Sequence, residues 1–280
     1  MKNKFLRNVC MLLVIMALVA GISGCGKDNA GADKVGANKA ANTNTEDKVI
    51  RVGCEATTPG WIQTDKDGKL TGYDYEVWQE IGKRTGYTID YKVMEWDGMW
   101  PMLEDGRLDT VGEQISMTDE RKEKYEFTEP YAYNYYCLIS AKDNPELNTL
   151  DDLKTGMTIS CETNSSDEVI VDTLNKQYGI ELKPMYYSGM SVKDVALGRC
   201  DLWPRAETSS MITVKEMDNL KILGVTDILE TNAYPFAKNE KGKELAGLAS
   251  KAIKEMKEDG TLKELSEKWF GMDITTPDHK

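Results

Sequence analysis

The chain has 280 residues, with 35 lysines and arginines against 47 aspartates and glutamates, a formal charge of −12. That sign argues against partners such as nucleic acid and against a surface that hugs anionic lipid. The single histidine, His279, stands in the C-terminal tail, which excludes Ser-His-Asp and Cys-His catalysis and every histidine-based metal site.

In chain order, Lys2, Lys4 and Arg7 precede an almost wholly apolar run from Val9 to Ile22. Such a run suits an export signal and is short for a membrane span. It ends Ile22-Ser23-Gly24-Cys25, which resembles the lipobox of bacterial lipoproteins. The resemblance implies a lipoprotein signal peptide over 1–24 and lipidation of the Cys25 thiol as a thioether. It puts the chain on the extracytoplasmic face of the bacterial cell membrane, anchored in membrane lipid through Cys25. Loss of the three leader cations deepens the charge from −12 to −15. Residues 25–47 are rich in Ala, Asn, Gly and Lys, with no aromatic residue and no apolar period. They cannot bury enough surface to offset chain entropy, and are expected to form a disordered tether reaching about 25 Å.

From Lys48 onward, short β-rich runs alternate with helical patterns. Val49 to Gly53 reads as a strand, and Asp65-Lys66-Asp67-Gly68-Lys69 as a hairpin turn. Asp74 to Thr85 has Val77, Trp78 and Ile81 on one helical face, with Gly86 as its stop. Ile89, Tyr91 and Val93 alternate as in a strand. Asp97 is expected to cap a helix through Leu103. Strands are expected over Tyr135–Ala141, Thr158–Ser160 and Lys183–Tyr187, and helices over Asp167–Tyr178, Ser191–Leu197 and Lys243–Lys257. Thr261-Leu262-Lys263-Glu264 reads as a capping box opening the last helix. This alternation predicts an α/β fold with mainly parallel sheets, whose ligands bind outside the carboxyl ends of strands. No phosphate-binding glycine loop is present, and no cofactor and no metal are expected. Cys54, Cys137, Cys161 and Cys200 are too irregularly spaced for a zinc site or a dense disulfide framework. They either pair in an oxidising compartment or stay as buried thiols.

Several segments together resemble the polar amino-acid solute-binding family of bacterial ABC importers. They are Gly72-Tyr73-Asp74, Trp96-Asp97-Gly98-Met99, Gly106-Arg107-Leu108-Asp109, Ser116-Met117-Thr118-Asp119-Glu120-Arg121, Phe127-Thr128-Glu129-Pro130-Tyr131, Asp259-Gly260-Thr261-Leu262 and Lys268-Trp269-Phe270-Gly271. The resemblance spans 48 to about 275. It implies a two-lobed periplasmic-binding-protein-like fold of type II, hinged on two extended strands. Lobe 1 would comprise 48–134 and 230–275, and lobe 2 residues 135–229. It further implies a monomer that captures a polar amino acid or related carboxylate-bearing small solute. The partner would be an ABC permease with its ATPase, and no catalytic residue is needed.

The resemblance also assigns a site. Arg121 would grip the ligand α-carboxylate bidentately, assisted by the backbone N–H of Ser116, with Thr118 capping the helix that carries it. Trp96 would cover the ligand. Thr58 stands where the family has an aromatic, so Trp61 either compensates or packs. Glu55, Glu113 and Gln114 would face the ligand from strand ends, and Thr163, Asn164 and Ser165 would close over it from lobe 2. The family commonly places an ammonium-pairing Asp five residues after Gly-Arg-x-Asp; here Gly198-Arg199-Cys200-Asp201 leads to Ala206. Either Glu207 or Glu55 substitutes, or the ligand is not an ordinary α-amino acid, and Arg205 could read a second carboxylate. The alternatives are a prephenate- or arogenate-dehydratase-like enzyme on the same fold and a binding protein that presents solute to a sensor.

Overall fold

A computed structural model describes residues 48–188 and 191–278. The leader, Cys25, the tether and His279 lie outside the described residues. The chain begins with β1 (Val49–Cys54), β2 (Thr57–Thr58), β3 (Ile62–Thr64), β4 (Leu70–Thr71), α1 (Tyr73–Thr85), β5 (Thr88–Val93), α2 (Trp96–Glu104), β6 (Thr110–Val111), α3 (Asp119–Lys124) and β7 (Tyr125–Phe127). The long strand β8 (Ala132–Ala141) leads into a second set of elements: β9 (Thr158–Glu162), α4 (Asp167–Tyr178), β10 (Lys183–Tyr187), α5 (Val192–Ala196), β11 (Trp203–Ala206) and α6 (Glu207–Glu216). Strand β12 (Leu220–Asn232) returns to β13 (Pro235–Ala237), α7 (Glu240–Glu258) and α8 (Thr261–Phe270).

The first lobe is built on a five-stranded sheet of order β5-β1-β6-β13-β7. β1 is parallel to β5 and β6, and β13 runs antiparallel to β6 and β7. The apolar face of α1, with Val77, Trp78 and Ile81 buried, packs with α7 and α8 against Ile50 and Val52 of β1. Gly72 opens α1 at φ 125°, and a Cβ there would sit 2.3 Å from the Trp61 carbonyl oxygen. The second lobe holds the antiparallel sheet β11-β8-β12 and the parallel pair β10-β9, with a separate apolar core around Leu138, Ile159, Leu174 and Leu202. β8 and β12 pair with each other from Leu220↔Ala141 to Asn232↔Ala132, so the two passes between the lobes form one antiparallel ribbon.

Both Gly-Arg-x-Asp segments pin a neighbouring strand. Asp109 accepts from Arg51 Nε (2.9 Å), Arg51 Nη2 (2.8 Å), Arg51 N (2.9 Å) and Lys241 Nζ (2.7 Å). Asp201 accepts from the main-chain N–H (2.8 Å) and hydroxyl (2.7 Å) of Thr158 at the start of β9. Burial raises the Asp109 pKa, but the bonds from Arg51 and Lys241 outweigh it and hold the carboxylate below its ordinary range.

Two expected caps differ. α2 starts at Trp96 after Glu95, so Asp97 lies in the first turn and its side chain is free to reach elsewhere. Gly260 is the N-cap of α8, and the Thr261 hydroxyl turns back to Asp259 Oδ1 (2.7 Å) instead of closing a capping box. α7 starts three residues earlier than expected, capped by Asn239 Oδ1 on Gly242 N (2.8 Å). The four described cysteines are buried free thiols.

Candidate functional site

The carboxyl ends of β1, β6 and β9 and the residues following them converge on a cavity between the lobes, about 70 Å³ in volume. Lobe 1 contributes Glu55, Trp96, Glu113, Gln114, Ser116 and Arg121; across from them stand Tyr136, Glu162, Ser165, Ser166, Asp167, Arg205 and Ala206, with Glu230 from the ribbon. Outward past Arg121 the cleft widens to a region of about 830 Å³ that reaches Thr163 and Asn164.

Arg121 stands at the junction of these two spaces. Thr118 accepts from Arg121 N (3.2 Å), which fixes the start of α3. The guanidinium donates to the carbonyl oxygens of Ser116 (3.1 Å) and of Asn164 in the opposite lobe (3.2 Å). It lies 4.8 Å from the Trp100 ring centroid and 5.6 Å from that of Trp96, two cation–π contacts that hold the charge against lobe 1. Burial pulls its pKa below the ordinary value, against the opposing pull of Tyr136 and Glu230. Asn164 takes the left-handed conformation (φ 61°), which asparagine tolerates well. Its Nδ2 donates to Asp97 Oδ1 (2.8 Å), so a second bond closes the cleft beside the first.

Glu230, on the ribbon, gathers the polar groups beneath Arg121. Its Oε1 accepts from the Tyr136 hydroxyl (2.8 Å) and from the Ser116 hydroxyl, and its Oε2 from Gln114 Nε2 (2.8 Å). Ser116 and Ser166 share a hydroxyl bond of 3.0 Å between the lobes.

The opposite end of the cavity is acidic. Glu113 is 4 % exposed, and its Oε2 accepts from Glu55 N (3.1 Å). Burial pushes its pKa up to about 8. Burial also raises Glu55, whose Oε1 accepts from Trp96 N (3.2 Å). Glu162 is raised by burial, pulled back by Arg205 and raised again by the like charge of Glu55. Asp167, accepting from Glu162 N (2.7 Å), is pushed up to about 6, again by burial. The Arg205 guanidinium lies 5.5 Å over the Trp203 ring.

Of the residues expected from the sequence, Glu55, Trp96, Glu113, Gln114, Ser116, Arg121, Ser165 and Arg205 line the inner cavity, while Thr163 and Asn164 line the outer widening. Two do not join them. Trp61 is fully buried in an aromatic cluster with Tyr73 (5.5 Å) and Phe270 (4.9 Å), and its indole donates to Thr208 Oγ1 (3.0 Å). Glu207 opens α6 and raises the Cys137 thiol pKa behind burial, away from the cavity lining. Tyr136, Glu162, Ser166, Asp167 and Glu230 were not expected. Glu162 directly precedes the expected turn at Thr163, which is the one local signal that pointed near it.

The sequence pattern of the bacterial extracellular solute-binding proteins, family 3, matches residues 50–272. The chain is 35 % identical over 265 residues to "Probable amino-acid-binding protein YxeM" of Bacillus subtilis, covering 94 % of this chain and 96 % of that one. It is 31 % identical to the L-cystine-binding protein TcyA of the same organism, covering 98 % and 99 %. Among solved structures, an ancestral arginine-binding protein bound to arginine superposes with a TM-score of 0.70 at 32 % identity, covering 80 % of this chain and 99 % of that one.

Proposed function

The chain belongs to the bacterial extracellular solute-binding proteins, family 3, and from that premise we propose that it is the lipid-anchored capture component of an ABC importer for a polar amino acid or related carboxylate-bearing solute. Its fold is the two-lobed α/β fold of type II amino-acid-binding proteins, and it acts as a binding protein, not an enzyme. In this reading lobe 1 comprises 48–134 and 230–275, lobe 2 comprises 135–229, and the lobes close on the solute. Cys25 carries the lipid anchor, and a membrane permease with its ATPase takes the cargo from a monomeric receptor.

The observation that carries the reading is Arg121, a guanidinium in cation–π contact with two indoles of lobe 1 and bonded to main-chain carbonyls of both lobes. Two planar N–H edges held in this way can receive a carboxylate with little loss of side-chain entropy. Thermal unfolding of the mature chain with a panel of amino acids tests it. A ligand at a hundred times its dissociation constant stabilises the protein by about 2.7 kcal/mol. Arg121→Ala is expected to abolish that shift while the protein still melts cooperatively; an unchanged shift removes the clamp. For the anchor, Cys25→Ala is expected to release the protein from the membrane fraction into the medium.

A further inference from the structure

We propose that Trp61 and Thr208 form a latch between the lobes, made when they close and broken when they part, and that this pair sets how long cargo is held without touching it. The inference rests on the solute-binding reading above and adds two positioning residues to it.

The contact joins the two lobes beside the cavity. The Trp61 indole, on the turn between β2 and β3, donates to Thr208 Oγ1 in the first turn of α6 (3.0 Å), and both residues are buried. Thr58 and Ala206, just ahead of the pair in sequence, line the cavity from lobe 1 and from lobe 2. Trp61 N donates to the Thr58 carbonyl (3.2 Å), so the latch and the cavity wall share one turn of chain. The main chain next to the indole also comes close to α6. A Cβ on Gly60 would lie 2.6 Å from Ile212 Cδ1, one helical turn after Thr208, and 3.0 Å from Phe270 Cε1 of lobe 1.

Trp61 moves with lobe 1. Its ring centroid lies 4.9 Å from that of Phe270, 5.5 Å from Tyr73 and 6.4 Å from Tyr131, and Tyr131 stacks on Tyr234 at 4.2 Å. Tyr131 precedes β8 and Tyr234 follows β12, so the cluster that fixes the indole also fixes the lobe 1 ends of the ribbon. When lobe 2 swings, the bond to Thr208 is what gives, and lengthening it by about half an ångström takes it out of hydrogen-bond range. Parting costs little on the side of α6. The residues this helix buries are Thr208, Ser209, Ser210 and Thr213, whose hydroxyls water can satisfy. Surfaces between domains that move are polar in the same way. The indole N–H is sealed from water while the lobes are closed, so loss of its acceptor penalises the closed form alone.

The test is hydrogen exchange at the Trp61 indole N–H, followed by NMR in the ligand-free mature chain and with L-arginine, L-glutamine or L-cystine added. The main-chain N–H of Ile81, inside α1, reports unfolding of lobe 1. The indole is expected to be at least about tenfold less protected than Ile81 in the ligand-free chain, and a solute that binds is expected to slow its exchange. Thr208→Val keeps the shape and deletes the acceptor. It is expected to lower indole protection about fivefold and to speed solute release about fivefold, with the association rate changed by less than about twofold. Thr208→Ser should restore both. Trp61→Phe keeps a packed ring without the donor and should speed release to the same extent. An indole as protected as Ile81 overturns the latch, because the contact then parts only on unfolding. A Thr208→Val protein with wild-type release, or one whose indole and Ile81 protection fall together, also overturns it and leaves the solute-binding reading standing. If no amino acid binds at all, the solute-binding reading fails, while exchange in the ligand-free chain still decides whether the contact parts.

Discussion

Asp74 is fully buried beneath the aromatic cluster of lobe 1, with its Oδ1 accepting from the Tyr234 hydroxyl at 2.7 Å. Burial pushes its pKa to about 7, against the pull of tyrosine hydroxyls. An acid held neutral in the fold but free to ionise in the unfolded chain favours folding at low pH. Its contribution is full below about pH 4 and is lost as the pH rises through about 7. Glu113 adds the same trend up to about 8. The unfolding free energy of the ligand-free protein is therefore expected to fall between pH 5 and 8. Asp74→Asn should flatten the curve by at most about 1.4 kcal/mol per pH unit, measured by chemical denaturation at each pH. At this scale the sequence pointed to Arg121 as a residue of the cavity, because it follows a recognisable Ser-x-Thr run. It hid Glu162 and Glu230. A lone acid beside a turn or within a β-rich run has no period to betray it, and its role exists only once β9 and β12 meet lobe 1.

The helices show where local rules hold and where packing overrides them. The first helix was readable from an apolar face and a terminal glycine, and its observed limits, Tyr73–Thr85, follow those signals closely; α4 occupies the expected Asp167–Tyr178. α6 was not readable, since its buried face is made of Thr208, Ser209, Ser210 and Thr213. Two of these hydroxyls find partners in the interior: Thr208 Oγ1 accepts from the Trp61 indole (3.0 Å), and Ser210 Oγ donates to the Ala206 carbonyl one turn back (2.8 Å). At the start of α7, Asn239→Ala should cost about 1 kcal/mol through the lost cap. Gly242→Ala should cost more, because its Cβ would lie 1.9 Å from the Ala237 carbonyl oxygen. Urea denaturation of the two variants ranks them; an Asn239→Ala protein less stable than Gly242→Ala would contradict this packing.

For the whole molecule, alternation of strands and helices was enough to give the α/β class. It was silent on the chain leaving one lobe and returning to it, because that depends on β8 pairing with β12 across some ninety residues of sequence. The cleft is held shut by few bonds, among them Asn164 with Asp97 and Arg121 with the Asn164 carbonyl. Asn164→Gly keeps the left-handed backbone and deletes the side-chain bond. It is expected to leave global stability within about 1 kcal/mol and to speed ligand release about fivefold, followed by stopped-flow tryptophan fluorescence. The ribbon of β8 and β12 has a mechanical consequence. Two strands bonded edge to edge bend readily across their flat face and resist bending within it. The register shift between Val225 and Leu229, beside the point where β11 stops pairing with β8, is where that bend is expected to concentrate. On such a ribbon the lobes are expected to swing like a door on one hinge pin, not like a ball in a socket, so that a partner sensing the angle of the door would sense whether cargo is inside.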